Sequence, residues 1–224
     1  MTPLAPSDAA ADARTREVVV QRVRGAAGHE DDDRLAVEEP LEIRLQFHDG
    51  ERARIQPLSV TMRTPGHDAE LAVGFLVSEG VVRVPGDVAD VRHCPTRLDQ
   101  PSHNVLTVRL ADGAAFDPAR LERHFYTTSS CGVCGKTSLE ALEVTGCPVL
   151  GPGPALRPEV IHSLPATLRA AQSVFDETGG LHAAALFDAD GRLLRLREDV
   201  GRHNAVDKLV GSFFLEGRLP LSDA

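Results

Sequence analysis

Leu41, Ile43, Leu45 and Phe47 fall on alternate positions with polar residues between them, and from Asp68 onward the apolar spacing changes to that of a helix. A period of two turns one face of a strand toward a core; spacing of three and four residues does the same for a helix. This change of period constrains the chain more than any other feature, because a sheet with one apolar face has to be covered by the helices that follow it. Further alternation at Val18-Val20 and Val60-Met62, with turns expected at the acidic run Glu30 to Asp33 and at Asp49-Gly50, predicts a small antiparallel sheet over residues 17 to 62. Ala69 to Gly80 reads as one mostly buried helix with a glycine stop. Strands are expected at Val88 to Val91 and Val105 to Leu110, and helices at Pro118 to His124 and Ser138 to Val144. Beyond the stiff connection Gly151-Pro152-Gly153-Pro154 come a helix from Pro165 to Phe175, strands at His182 to Phe187 and Leu193 to Arg197, and a last helix from Asn204 to about Leu215. The class is α+β or α/β, a mixed sheet with helices. Residues 1–16 are a lead-in without periodicity and expected to be disordered, 17–66 an N-terminal antiparallel β subdomain, and 67–224 the core.

With 224 residues, 42% of them hydrophobic, the chain can bury a sizeable core. No run approaches the roughly 20 apolar residues of a bilayer span, and the N-terminus lacks a signal-peptide pattern. Those features imply a cytoplasmic protein, in which Cys94, Cys131, Cys134 and Cys147 are reduced thiols rather than a disulfide framework. A net charge of -9 argues against general binding to nucleic acid or anionic membrane and requires any anionic ligand to be held locally.

The chemistry concentrates in Thr128-Ser129-Ser130-Cys131-Gly132-Val133-Cys134-Gly135-Lys136-Thr137. A thiolate becomes nucleophilic when its pKa is lowered, and a second cysteine three residues on, a nearby cation and a helix N-terminus all lower it. Structural zinc would need two more ligands from Cys94, Cys147, His182 and His203, none of which forms a second close pair, so no metal site is assigned. A zinc deaminase places its His-x-Glu before its cysteines, the reverse of the order here. A thioredoxin-like enzyme carries its cysteine pair near the first strand. The Gly135-Lys136-Thr137 end of a Walker motif lacks its first glycine. Of the 24 cationic residues only Lys136 and Lys208 are lysine, and both fall within the segments that carry chemistry.

The second such segment runs from Glu198 to Lys208. A strand ends, Gly201 turns the chain, and Asn204 is expected to cap a helix with Asp207 answering it, leaving free amides and Arg202 toward a phosphate. A surface helix with Asp199 paired to Arg202 is the plainer alternative. Thr178-Gly179-Gly180-Leu181-His182 followed by Ala183-Ala184-Ala185 makes a close-approach strand in which His182 is a further candidate.

Together these segments resemble the FdhD family of formate dehydrogenase accessory proteins. The resemblance rests on Asp33 to Ile43, Arg63-Thr64-Pro65, Glu70 to Gly80, Ser129 to Lys136, Phe175 to His182 and Glu198 to Lys208, in that order. It implies a sulfur carrier with a core similar to the cytidine deaminase fold. Cys131 would bear a persulfide received from a cysteine desulfurase, Cys134 would receive or resolve it, and Lys136 would hold the thiolate. The acceptor would be the molybdenum cofactor in its bis-molybdopterin guanine dinucleotide form, before insertion into formate dehydrogenase. Its guanine nucleotide is expected near Arg202, His203 and Asn204, with His182 and Lys136 completing the binding set. A non-catalytic adaptor that binds cofactor and dehydrogenase is the alternative, distinguished by tolerance of Cys131→Ala. The resemblance leaves room for a homodimer. Family members continue through further strands and helices, so it also implies a chain cut short at Ala224, with some cofactor contacts missing.

Overall fold

The four apolar residues that set the pattern, Leu41, Ile43, Leu45 and Phe47, are all buried, and they lie on one of the two central strands of a four-stranded sheet. The computed structural model describes residues 14–50, 52–95, 101–114, 116 and 153–221. Their strands are β1 (Thr15–Arg24), β2 (Ala27–Ala36), β3 (Glu39–Asp49), β4 (Arg52–Arg63), β5 (Val88–Pro95), β6 (Pro101–Leu110), β7 (His182–Phe187) and β8 (Leu193–Asp199). The helices are α1 (Asp68–Ser78), α2 (Pro158–Ala171), α3 (Ser173–Thr178) and α4 (Arg202–Leu215). The expected helices at Pro118 to His124 and Ser138 to Val144 lie outside the described residues.

The protein is mixed α+β. The main sheet has the order β4-β3-β6-β5, with β3 antiparallel to β4 and parallel to β6. The β3–β4 hairpin is therefore half of a mixed sheet rather than a small antiparallel sheet of its own, while β1–β2 and β7–β8 are separate two-stranded ribbons. Leu71, Ala72, Val73 and Leu76 of α1 pack on the buried face against β3 and against Leu106, Val108 and Leu110 of β6. Leu41, Ile43 and Leu45 are at most 1% exposed, and each such side chain contributes about 1.5–3 kcal/mol relative to an exposed one.

α4 lies across α1 at unusually close range. A Cβ on Gly74 would run into the backbone carbonyl of Asp207, and one on Gly211 into that of Glu70. Both glycines sit inside helices, where they weaken the helix itself, so their use here is to let two backbones meet.

Two expectations are corrected. The acidic run Glu30 to Asp33 is not a turn but the middle of β2; the turn comes earlier, at Gly25, whose φ of 62° suits glycine. Its carboxylates stay on an exposed ribbon, where Arg22 of β1 pairs with Asp31 and Asp33. The helix expected to open at Pro165 opens at Pro158, with proline at its first turn, and continues through Pro165. Ser163 and Thr167 hydroxyls donate to the carbonyls of Val160 and Ser163 beside that interior proline.

Candidate functional site

β8 ends in Asp199, whose side chain is completely buried, and α4 starts three residues later at Arg202. Four donors meet this carboxylate: Gly201 N at 2.8 Å and Asn204 Nδ2 at 3.0 Å on Oδ1, Thr64 N at 3.1 Å and Lys208 Nζ at 2.7 Å on Oδ2. Lys208, 1% exposed, also donates to the Thr64 carbonyl at 2.8 Å. The Thr64 hydroxyl accepts from Val200 N at 3.1 Å, and Asn204 Nδ2 reaches the Met62 carbonyl at 2.8 Å. Burial lowers the Lys208 pKa while Asp199 raises it, as expected for a desolvated ammonium with a carboxylate partner. This network pins the β8–α4 turn to the loop that joins β4 to α1.

The network corrects two readings of the segment. Asn204 does not cap α4: the helix begins two residues earlier, with extended Gly201 as its boundary, Ala205 N closing on the Gly201 carbonyl at 3.0 Å, and no side-chain cap. Asp207 instead accepts from the Ser78 hydroxyl of α1 at 2.8 Å. Asp199 does not pair with Arg202 either; the buried partner is Lys208, and Arg202 and His203 stand exposed on the first helical turn. His182, also exposed, opens β7 directly opposite Asp199 in the antiparallel register, so it joins Arg202 and His203 at one end of the β7–β8 ribbon. Cys131, Cys134 and Lys136 lie outside the described residues, as does Cys147. Cys94 is a half-buried thiol 3.1 Å from the Thr107 hydroxyl, and among the described residues no group of three or more His, Cys, Asp and Glu could hold a metal ion.

The loop facing the turn carries residues to which sequence reasoning assigned no role. Arg63, 1% exposed, grips the Asp68 carboxylate with Nε and Nη2, both at 3.0 Å, and donates to the His103 carbonyl at 3.0 Å. His93 Nε2 stands 3.5 Å from the same carboxylate. Between Arg63 and Asp68, Gly66 and His67 both take positive φ, 97° and 58°. Burial drives the His67 imidazole down to about 4; Glu70 opposes this, and Arg197, Lys208 and Arg14 reinforce it. The signal available beforehand was Pro65-Gly66 ahead of a helix start, which marks a turn and says nothing of the histidine that follows.

With this geometry in place, similarity to known proteins adds the class. The FdhD/NarQ family model matches residues 36–223, and the chain belongs to the FdhD/NarQ family. Sulfur carrier protein FdhD of Streptomyces avermitilis is 51% identical over 207 residues, which cover 91% of this chain and 71% of that one. The protein of that name from Mycobacterium tuberculosis is 49% identical over 193 residues, 84% and 67% of the two chains. The one from Saccharolobus solfataricus is 42% identical over 210 residues, 94% and 74%. A crystal structure described as that of a formate dehydrogenase accessory protein from Desulfotalea psychrophila superposes with a TM-score of 0.64 over 94% of this chain and 73% of that one. At 24% identity that likeness speaks for the fold alone. Among the described residues no helix is long and apolar enough to cross a membrane.

Proposed function

We propose that this chain is a sulfur carrier that takes sulfur from a cysteine desulfurase in the cytoplasm and delivers it to the molybdenum cofactor destined for formate dehydrogenase. The observation that carries the reading is the Cys131-Gly132-Val133-Cys134 motif within a stretch about half identical to proteins named as sulfur carriers. In the loading step the Cys131 thiolate attacks the outer sulfur of a desulfurase persulfide. A sulfur–sulfur bond forms at Cys131 as the donor's breaks, and the donor cysteine leaves as thiolate with no net change in oxidation. For delivery, the Cys134 thiolate attacks the inner sulfur of that persulfide, expelling the outer sulfur as hydrosulfide to the acceptor. The disulfide left between Cys131 and Cys134 is returned to thiols by a cellular thiol. Lys136, two residues after Cys134 in sequence, supplies a cation that would favour the thiolates.

The acceptor in this reading is the substrate, a bis-guanine dinucleotide with phosphates to be held. Arg202 and His203 are exposed cationic and hydrogen-bonding groups on the first turn of α4, whose leading amides are not consumed by a side-chain cap, and His182 stands at the same end of the ribbon. Asn204 contributes by holding the turn, since its amide nitrogen is committed to Met62 and Asp199. Intact-mass spectrometry after incubation with cysteine and a desulfurase tests the assignment. Wild type is expected to gain one sulfur atom and Cys131→Ala to gain none; a sulfur-free wild type, or a Cys131→Ala variant that still supports maturation of formate dehydrogenase, favours the adaptor role and rejects the carrier.

A further inference from the structure

His67 is the only non-glycine residue with positive φ among the described residues, at 58°. Histidine enters this region more readily than most residues, so the angle is by itself a modest cost. The side chain gives nothing back that the structure records. Its imidazole makes no hydrogen bond to any described residue, although it is partly buried at the boundary of α1 among Glu70, Arg197, Lys208 and Arg14. Glu70 and Arg197 are satisfied by each other, at 2.5 and 2.8 Å, and Lys208 by Asp199 and Thr64, so none of these three is waiting for the histidine. A partly buried imidazole on a left-handed residue, with no hydrogen-bond partner among the described residues, is open to a partner from outside the chain.

Location supplies the second half of the argument. Thr64, three residues upstream, is bonded to Asp199 and Val200 of the turn that carries Arg202 and His203. Asp68, one residue downstream, is fixed by Arg63. The His67 carbonyl accepts from Leu71 N at 2.9 Å, so the loop is held on both sides of an imidazole that itself makes no hydrogen bond to a described residue, and it is joined through Thr64 to the turn of the proposed acceptor site.

We propose that His67 is a ligand-facing residue of the acceptor site, hydrogen-bonding the guanine-nucleotide-bearing molecule that Arg202 and His203 hold. The assignment rests on the sulfur-carrier reading given above. With a pKa of about 4 the ring is uncharged at neutral pH and can both donate and accept, which suits a nucleotide's base or ribose better than a bare phosphate.

Glycine tolerates the His67 backbone and asparagine accepts it more readily than most, so His67→Gly and His67→Asn remove the ring without imposing strain. Calorimetric titration of GDP into the full chain, with melting temperatures of the same preparations, separates the roles. Both variants are expected to bind GDP about tenfold more weakly, the loss of roughly one good hydrogen bond, while His67→Gly melts no lower than wild type. Variants that bind within about twofold of wild type overturn the assignment, and so does a His67→Gly chain that melts well below wild type, because the ring would then be a packing group. Wild type that fails to bind GDP sinks the nucleotide-acceptor reading and this assignment with it, an outcome distinct from bound wild type with unaltered variants.

Discussion

The β8–α4 turn and the β1–β2 ribbon both rely on charged residues, yet they use them in opposite ways. In the turn, Asp199 and Lys208 are 0% and 1% exposed and meet within a closed set of hydrogen bonds. In the ribbon, Arg22 and Asp31 are 51% and 47% exposed and pair across two strands with water on every side. A buried charge is costly once its partner is gone, whereas an exposed one simply rehydrates. The turn therefore holds a single geometry, and the ribbon tolerates many.

Removing a partner from the turn should break that contrast most visibly. Lys208→Met leaves the Asp199 carboxylate buried without its cation and is expected to cost about 3–5 kcal/mol in urea unfolding. The double variant Lys208→Met/Asp199→Asn removes both charges and is expected to be less damaged than the sum of the two single changes. Additive losses would mean that the two groups are not energetically coupled, against the 2.7 Å contact.

The second effect in size concerns the helix crossing beneath the turn. Gly211→Ala places a methyl group against the Glu70 carbonyl, and its backbone position leaves no flexible side chain to move aside. A loss of about 2–3 kcal/mol is expected, set against the small gain an alanine normally brings to a helix. A Gly211→Ala protein as stable as wild type would show that α1 and α4 can separate at little cost.

Which of these features could be seen beforehand follows from how local their causes are. β3 was legible because Leu41, Ile43, Leu45 and Phe47 report a one-sided strand within seven residues, and α1 because its apolar spacing and the glycine stop at Gly80 are equally local. β2 was not, since His29-Glu30-Asp31-Asp32-Asp33 has no apolar face and is extended only because β1 pairs with it. The parallel pairing of β3 with β6 has no local signature either, as those strands are separated by β4, α1 and β5. Gly74 and Gly211 read as weak points in two helices until their contact shows them to be one close approach. At the candidate site the segment from Glu198 to Lys208 was recognisable by its polar density, but the Thr64 amide that meets Asp199 and the Met62 carbonyl that fixes Asn204 lie more than 130 positions away. His67 was missed for a related reason: a backbone angle and a missing hydrogen bond are not written in residue types.

Acid and base should separate the two regions again, with a smaller effect. Burial, assisted by Glu79 and opposed by the Ser78 hydroxyl, raises the Asp207 carboxyl from 3.8 to about 6. Its pKa is higher folded than unfolded, so the folded chain binds the proton more tightly. The contribution to stability is full below about pH 4 and is lost as pH rises through about 6. Asp207→Asn should then match wild type near pH 4 and exceed it by on the order of 1–2 kcal/mol at pH 7.5, as read from unfolding midpoints across that range. A constant difference between the two proteins from pH 4 to 8 would assign the titration elsewhere.

The smallest global effect is expected in the ribbon, and there the change should be local. Arg22→Ala removes the contacts to Asp31 and Asp33 at 2.7 and 3.2 Å and is expected to change unfolding by less than about 0.5 kcal/mol, less still at high salt. Two strands alone are marginal in water, and Val19 and Val23 are 67% and 66% exposed, so little apolar burial holds the far end of this ribbon together. Its near end is tied down where Val37 N bonds the Arg14 carbonyl and Arg34 bonds Glu177 of α3 at 2.9 Å. Amide hydrogen exchange should therefore quicken around Gln21 to Asp31 in Arg22→Ala and stay unchanged in β3 and β6, because the ribbon opens without the sheet. Exchange that quickened equally in both would join the ribbon to the same cooperative unit as the β8–α4 turn, and the exposed pair would then matter as the buried one does.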